Sequence, residues 1–82
     1  MEQKLKRIMT ELFKMNGTEI ADDLAMKDTD VWDSFKHMEL ITSIEQEMGV
    51  ELTFDEIVAM KTFKDIKRIL SNKGVDGHNE LN

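Results

Sequence analysis

The residues able to do chemistry cluster in one stretch, Asp33-Ser34-Phe35-Lys36-His37-Met38-Glu39-Leu40. It holds a hydroxyl, an imidazole one helical turn later, and carboxylates on either side. If a helix opens at Asp33 or Ser34, the serine lies in its first turn. There the unpaired backbone N–H groups and the helix dipole favour a negative group. A phosphodiester on the serine oxygen would sit in that field, a contribution of about 0.3–1 kcal/mol at an exposed site. Asp33 is the better N-cap, which leaves the Ser34 hydroxyl directed to solvent. Taken alone, a serine at a helix start is far more often a capping residue than a modification site.

Other chemistries fit the sequence poorly. Ser34 and His37 could face each other one turn apart as a hydrolase dyad. No strand–turn–helix orients such a nucleophile, no oxyanion loop is evident, and the chain is too short to build a cleft enzyme. His37 is therefore expected at the surface, and His78 in the C-terminal tail. Asp28, Asp30 and Glu39 have the outer spacing of a calcium loop. Trp32 at its fifth place, and Asp33 at its sixth where glycine is needed, break the pattern. Cysteine is absent, so disulfides and thiolate metal sites are excluded and any thiol chemistry must use a borrowed group. No metal site is expected.

Eighty-two residues allow one domain with a small core. Hydrophobic residues make up 40% and charged residues 34%, too apolar a mixture for wholesale disorder. The apolar runs are too short to span a bilayer, and the N-terminal MEQKLKRIMTELF has no apolar signal core, so a cytoplasmic location is expected. The net charge of −6 and pI near 4.8 argue against nucleic acid and for basic protein partners.

The elements that must position Ser34 are all helical. In 2–15, Leu5, Ile8, Met9, Leu12 and Phe13 fall on one helical face, and Asn16-Gly17 is the expected stop. Residues 18–32 form a long acidic loop that Ile20, Leu24, Val31 and Trp32 are expected to pin to the core. A second helix runs from Asp33 or Ser34 to Met48, with Phe35, Met38, Ile41, Ile44 and Met48 at helical spacing, and Gly49 ends it. Thr53 with Glu56 is a capping box opening a short third helix, and Thr62 with Asp65 starts the last one. The expected architecture is all-α, three longer helices plus a short third, in a domain over 1–74 followed by a polar tail over 75–82.

Asp-Ser-hydrophobic, three residues, then Glu-Leu resembles the attachment motif of acyl carrier proteins, Asp-Ser-Leu-x-x-x-Glu-Leu. The resemblance covers roughly Leu5 to Leu70 and needs no gap from Asp33 onward. It implies an acyl-carrier-like four-helix bundle that is a substrate and not an enzyme. In this family a phosphopantetheinyl transferase and magnesium attach phosphopantetheine from coenzyme A to the serine, here Ser34, with Asp33 beside it. The arm then carries an acyl group as a thioester, which accords with the absence of cysteine.

The resemblance also implies roles for neighbouring residues. Glu39 falls on an acidic docking position, extended by Glu45 and Glu47, for acyl-loading and acyl-using enzymes with basic patches; the bland alternative is a solvated helix face. Phe35 replaces the usual leucine and either touches partners or packs inward. Met38, Leu40, Ile44, Met60 and Phe63 fall where such carriers line an acyl pocket, although apolar residues at this spacing are core first. Trp32, Lys36 and His37 depart from the common pattern and point to a specialised pathway as readily as to fatty acid synthesis. A monomer is expected. The competing reading is an unmodified acidic helical interaction module.

Overall fold

A computed structural model describes residues 1–75. The first helix, α1, spans Glu2–Phe13 and buries Leu5, Ile8, Met9 and Phe13. It ends two residues before the expected point, with Lys14 in the left-handed conformation (φ 58°) and its N–H on the Thr10 carbonyl. Asn16 instead opens the next turn, its N–H donating to the Glu19 carboxylate at 2.8 Å. The Asn16 signal was thus a start and not a stop, because an Asn with Glu three residues later suits a cap.

The connection to the second helix contains two single turns, Gly17–Glu19 and Met26–Asp28. It docks on the turn before the last helix through an antiparallel bridge between Ala25 and Thr62. The Met26 N–H donates to the Lys61 carbonyl at 2.9 Å and the Phe63 N–H to the Leu24 carbonyl at 3.0 Å. Ile20 and Trp32 are buried and Leu24 half-buried, as expected of anchors. Val31 is not an anchor: it is 40% exposed, while Trp32 beside it fills the core position.

Helix α2 spans Ser34–Met48 and ends at Gly49, whose φ of 65° favours glycine. Helix α3, Phe54–Ala59, and helix α4, Phe63–Asn72, each open on the expected Thr–acid capping box. Thr53 Oγ1 accepts from the Glu56 N–H at 3.1 Å, and Thr62 Oγ1 from the Asp65 N–H at 2.9 Å. The core gathers α1, Leu40, Ile41 and Ile44 of α2, Met60, and Phe63, Ile66, Ile69 and Leu70 of α4. No residue of α3 is fully buried; Ile57 is its half-buried contact with the core. Among the described residues the fold is all-helical, as expected, and no helix is long and apolar enough to cross a membrane. Val75 packs against the core with its N–H on the Leu70 carbonyl. The remainder of the tail, including His78, lies outside the described residues.

Candidate functional site: the serine at the head of α2

Asp33 adopts extended backbone, and its Oδ1 accepts the Lys36 N–H at 2.8 Å. The Asp33 carbonyl takes the first intrahelical bond, from the His37 N–H at 2.8 Å. The cap is therefore filled by Asp33, and Ser34 is the first helical residue with its side chain exposed. Among the described residues the Ser34 hydroxyl makes no hydrogen bond, so its oxygen is available to an enzyme approaching from solvent. The first turn of a fifteen-residue helix lies beneath it, with N–H groups that favour an added phosphate. These residues fit a phosphate ester at Ser34: the oxygen is exposed, unpaired and in a favourable field.

Ser34 lies at the mouth of an open cleft of about 1110 Å³ between the start of α2, α3 and the loop preceding α2. Its apolar wall includes Trp32, Met38, Ile57, Val58 and Met60. Of the pocket residues expected from sequence, Met38 and Met60 line this cleft. Leu40, Ile44 and Phe63 do not: they are sealed in the core behind it. Phe35, the motif's variant position, is 71% exposed next to Ser34 and forms no part of the core.

His37 requires a correction, since it is buried at 7% exposure and not a surface residue. Trp32 Nε1–H donates to His37 Nδ1 at 3.0 Å, and His37 Nε2 lies 2.9 Å from the Ile57 carbonyl. An indole N–H can only donate, so Nδ1 must accept and the ring proton sits on Nε2, pointed at Ile57. The bridge joins the loop, α2 and α3. Trp32 is itself braced by Phe13 of α1, with ring centroids 5.5 Å apart. Sequence reasoning missed His37 because it followed Phe35 and Met38 as the buried stripe. The stripe that packs is His37, Leu40, Ile41 and Ile44. The spacing of His37 to Ile41 and Ile44, i+4 and i+7, was the signal available.

The acidic residues on α2 have different surroundings. Glu39 Oε1 lies 3.4 Å from Lys36 Nζ on the same helix, with both side chains partly exposed. Glu45 Oε2 accepts the Leu52 N–H at 2.9 Å and so holds the turn after α2. Glu47 pairs with Arg7 of α1 at 2.7 Å. Of the three, Glu39 is the one not engaged with another element of the fold.

Comparison with known proteins agrees with this geometry. Residues 3–70 match the family described as "Phosphopantetheine attachment site". The chain is also 27% identical over 71 residues to an acyl carrier protein of Thermosynechococcus vestitus, an alignment covering 87% of this chain and 88% of that protein. A family match across most of the chain, on an all-helical fold with an exposed serine heading its second helix, leaves one assignment: the chain belongs to the acyl carrier protein family, the carriers built around a phosphopantetheine attachment site.

Proposed function

We propose that Ser34 Oγ is the attachment atom, and that the protein carries acyl intermediates to biosynthetic enzymes in a fatty acid or a specialised pathway. The observation that carries this reading is the division of labour at the head of α2. Asp33 caps the helix, so the Ser34 hydroxyl is left exposed and unbonded beside an apolar cleft. In the site of a phosphopantetheinyl transferase, Ser34 Oγ would form a P–O bond as the pyrophosphate bond of coenzyme A breaks. Adenosine bisphosphate leaves, and the hydroxyl proton passes to a base of the transferase. Among the described residues no base contacts the Ser34 hydroxyl, and on this reading the chain acts as a substrate. When bound, the arm supplies the thiol on which an acyl group travels as a thioester.

The residues around Ser34 then serve recognition. Phe35 presents an apolar contact and Glu39 a charge for basic partners, while the net charge of −6 steers encounter. A monomeric, cytoplasmic carrier is the reading consistent with this use. Incubation with coenzyme A, magnesium and a broad-specificity transferase, followed by intact-mass measurement, tests the assignment. Wild type should gain one phosphopantetheine and Ser34→Ala none. An unmodified wild type under conditions that load another carrier would favour the interaction-module reading.

A further inference from the structure

A group attached at Ser34 leaves the protein at the mouth of the cleft that Ser34 helps to line. Two destinations are open to an apolar chain there. It can lie along the outer wall, over Met38 and Val58, which are half-exposed. Alternatively it can pass between α2 and α3 toward Leu40, Ile44 and Phe63, the sealed residues behind. The Trp32–His37–Ile57 bridge stands across the second route, since all three residues line the cleft and their two hydrogen bonds tie the start of α2 to α3.

The closure depends on few contacts. Helix α3 has six residues and none of them is fully buried. Its ties are the half-buried Ile57, the Lys73–Glu56 ion pair at 2.9 Å, and the His37–Ile57 bond. The ion pair is on the solvent side, where such contacts contribute little. The bond from His37 is different, because opening it leaves the N–H of a buried imidazole without a partner. The Ile57 carbonyl has only a long bond of its own, from the Met60 N–H at 3.3 Å, and so is well placed to accept a second.

We propose that the Trp32–His37–Ile57 bridge is a latch that holds α3 on α2 and keeps acyl cargo in the outer, solvent-facing cleft. His37 is on this account a specificity-determining residue: it decides whether a long acyl chain is sheltered from water or left accessible. Trp32 is a positioning residue, fixing the imidazole so that Nε2 faces Ile57. The proposal rests on Ser34 being the attachment atom.

The test loads wild type, His37→Ala and His37→Gln with acetyl- or octanoyl-phosphopantetheine from the corresponding coenzyme A thioesters and follows cleavage by hydroxylamine. In His37→Ala the octanoyl thioester should be cleaved at least about tenfold more slowly than in wild type, since each sheltered methylene favours the protected form about fourfold and sheltering two of them already suffices. The acetyl thioester, too short to reach the core, should be cleaved at the same rate in both. His37→Gln can still donate to the Ile57 carbonyl and should behave as wild type. Melting temperature gives a second reading: octanoylation should raise it more in His37→Ala than in wild type. If His37→Ala fails to fold, His37→Leu removes both hydrogen bonds while keeping volume and gives the same contrast. A general loosening would change both chain lengths alike, and that result, or no change in either, overturns the latch. Absence of any mass gain on loading overturns the Ser34 assignment and the latch with it, and is seen before cleavage is measured.

Discussion

The Asp33 carboxylate accepts the Lys36 N–H at 2.8 Å, and this bond separates the structural from the chemical role at the head of α2. Had Ser34 been the cap, removing its hydroxyl would have cost helix stability. Because Asp33 caps, the two substitutions should have opposite profiles. Asp33→Ala should destabilise the fold by about 1 kcal/mol, whereas Ser34→Ala should leave the urea midpoint and helical circular dichroism nearly unchanged. Equal losses in both variants would show that Ser34 shares the cap.

Core truncations should follow burial and not helical pattern alone. Ile44 and Ile66 are fully buried in the cluster that joins α1, α2 and α4. Ile44→Ala and Ile66→Ala should each cost about 2–5 kcal/mol in urea unfolding, a large share of the total for so small a domain. Leu12 has the same spacing on α1 but is only partly buried, so Leu12→Ala should cost less than either.

Acid should destabilise the protein through three carboxylates. The Asp22 carboxyl is held below its ordinary value of 3.8 by its hydrogen bond from Lys67. The Glu56 carboxyl lies below 4.5 through the Thr53 N–H and then Lys73. Burial pushes Asp65 up, but Thr62, the Lys61 N–H and Arg68 together bring it below 3.8. A lowered folded-state value means the unfolded chain binds more protons. The contribution is therefore full above the ordinary values and is lost as pH falls through the folded ones. The urea midpoint should fall between about pH 5 and pH 2, and Glu56→Gln should flatten part of that fall. Lys67, raised above 10.5 first by its bond to Asp22, has the opposite sign: its contribution disappears as pH climbs past that value.

Recognition should be sensitive to charge at Glu39. Glu39→Gln and Gln3→Lys each raise the net charge by one, the first on α2 and the second on α1. If α2 docks to basic partners, Glu39→Gln should slow phosphopantetheine transfer at low salt, and the defect should shrink as ionic strength rises. Gln3→Lys should have little effect. Equal rates for the two variants would remove the docking role from Glu39. Glu47 makes a poorer probe, because reversing it also breaks its pair with Arg7.

The latch makes a prediction of its own in the unmodified protein. With so little of α3 buried, loss of the His37–Ile57 bond should raise amide exchange in Phe54–Ala59 more than in α1. Exchange that rises equally in α1 and α3 would mark a general loss of stability.

What the sequence determined by itself was the set of features with local causes. The start of α2, the Thr53 and Thr62 capping boxes and the Gly49 stop each depend on residues within four positions of one another. Ser34 was legible for the same reason, since its setting is a single helical turn. Even the one misjudged boundary, the end of α1, was a local contest in which Asn16 could either stop one element or start another. Tertiary structure alone decided the rest. Which stripe of α2 packs depends on how the helix is rotated against α1 and α4, and that rotation buried His37 and exposed Phe35 and Met38. Trp32 pairs with His37 five residues on, His37 with Ile57 twenty residues on, and Ala25 with Thr62. Local propensity does not encode such pairings, because they arise only when the folded chain leaves a buried donor and acceptor facing each other. The cleft beside Ser34 is made of those non-local contacts, so its lining could be read only from the fold.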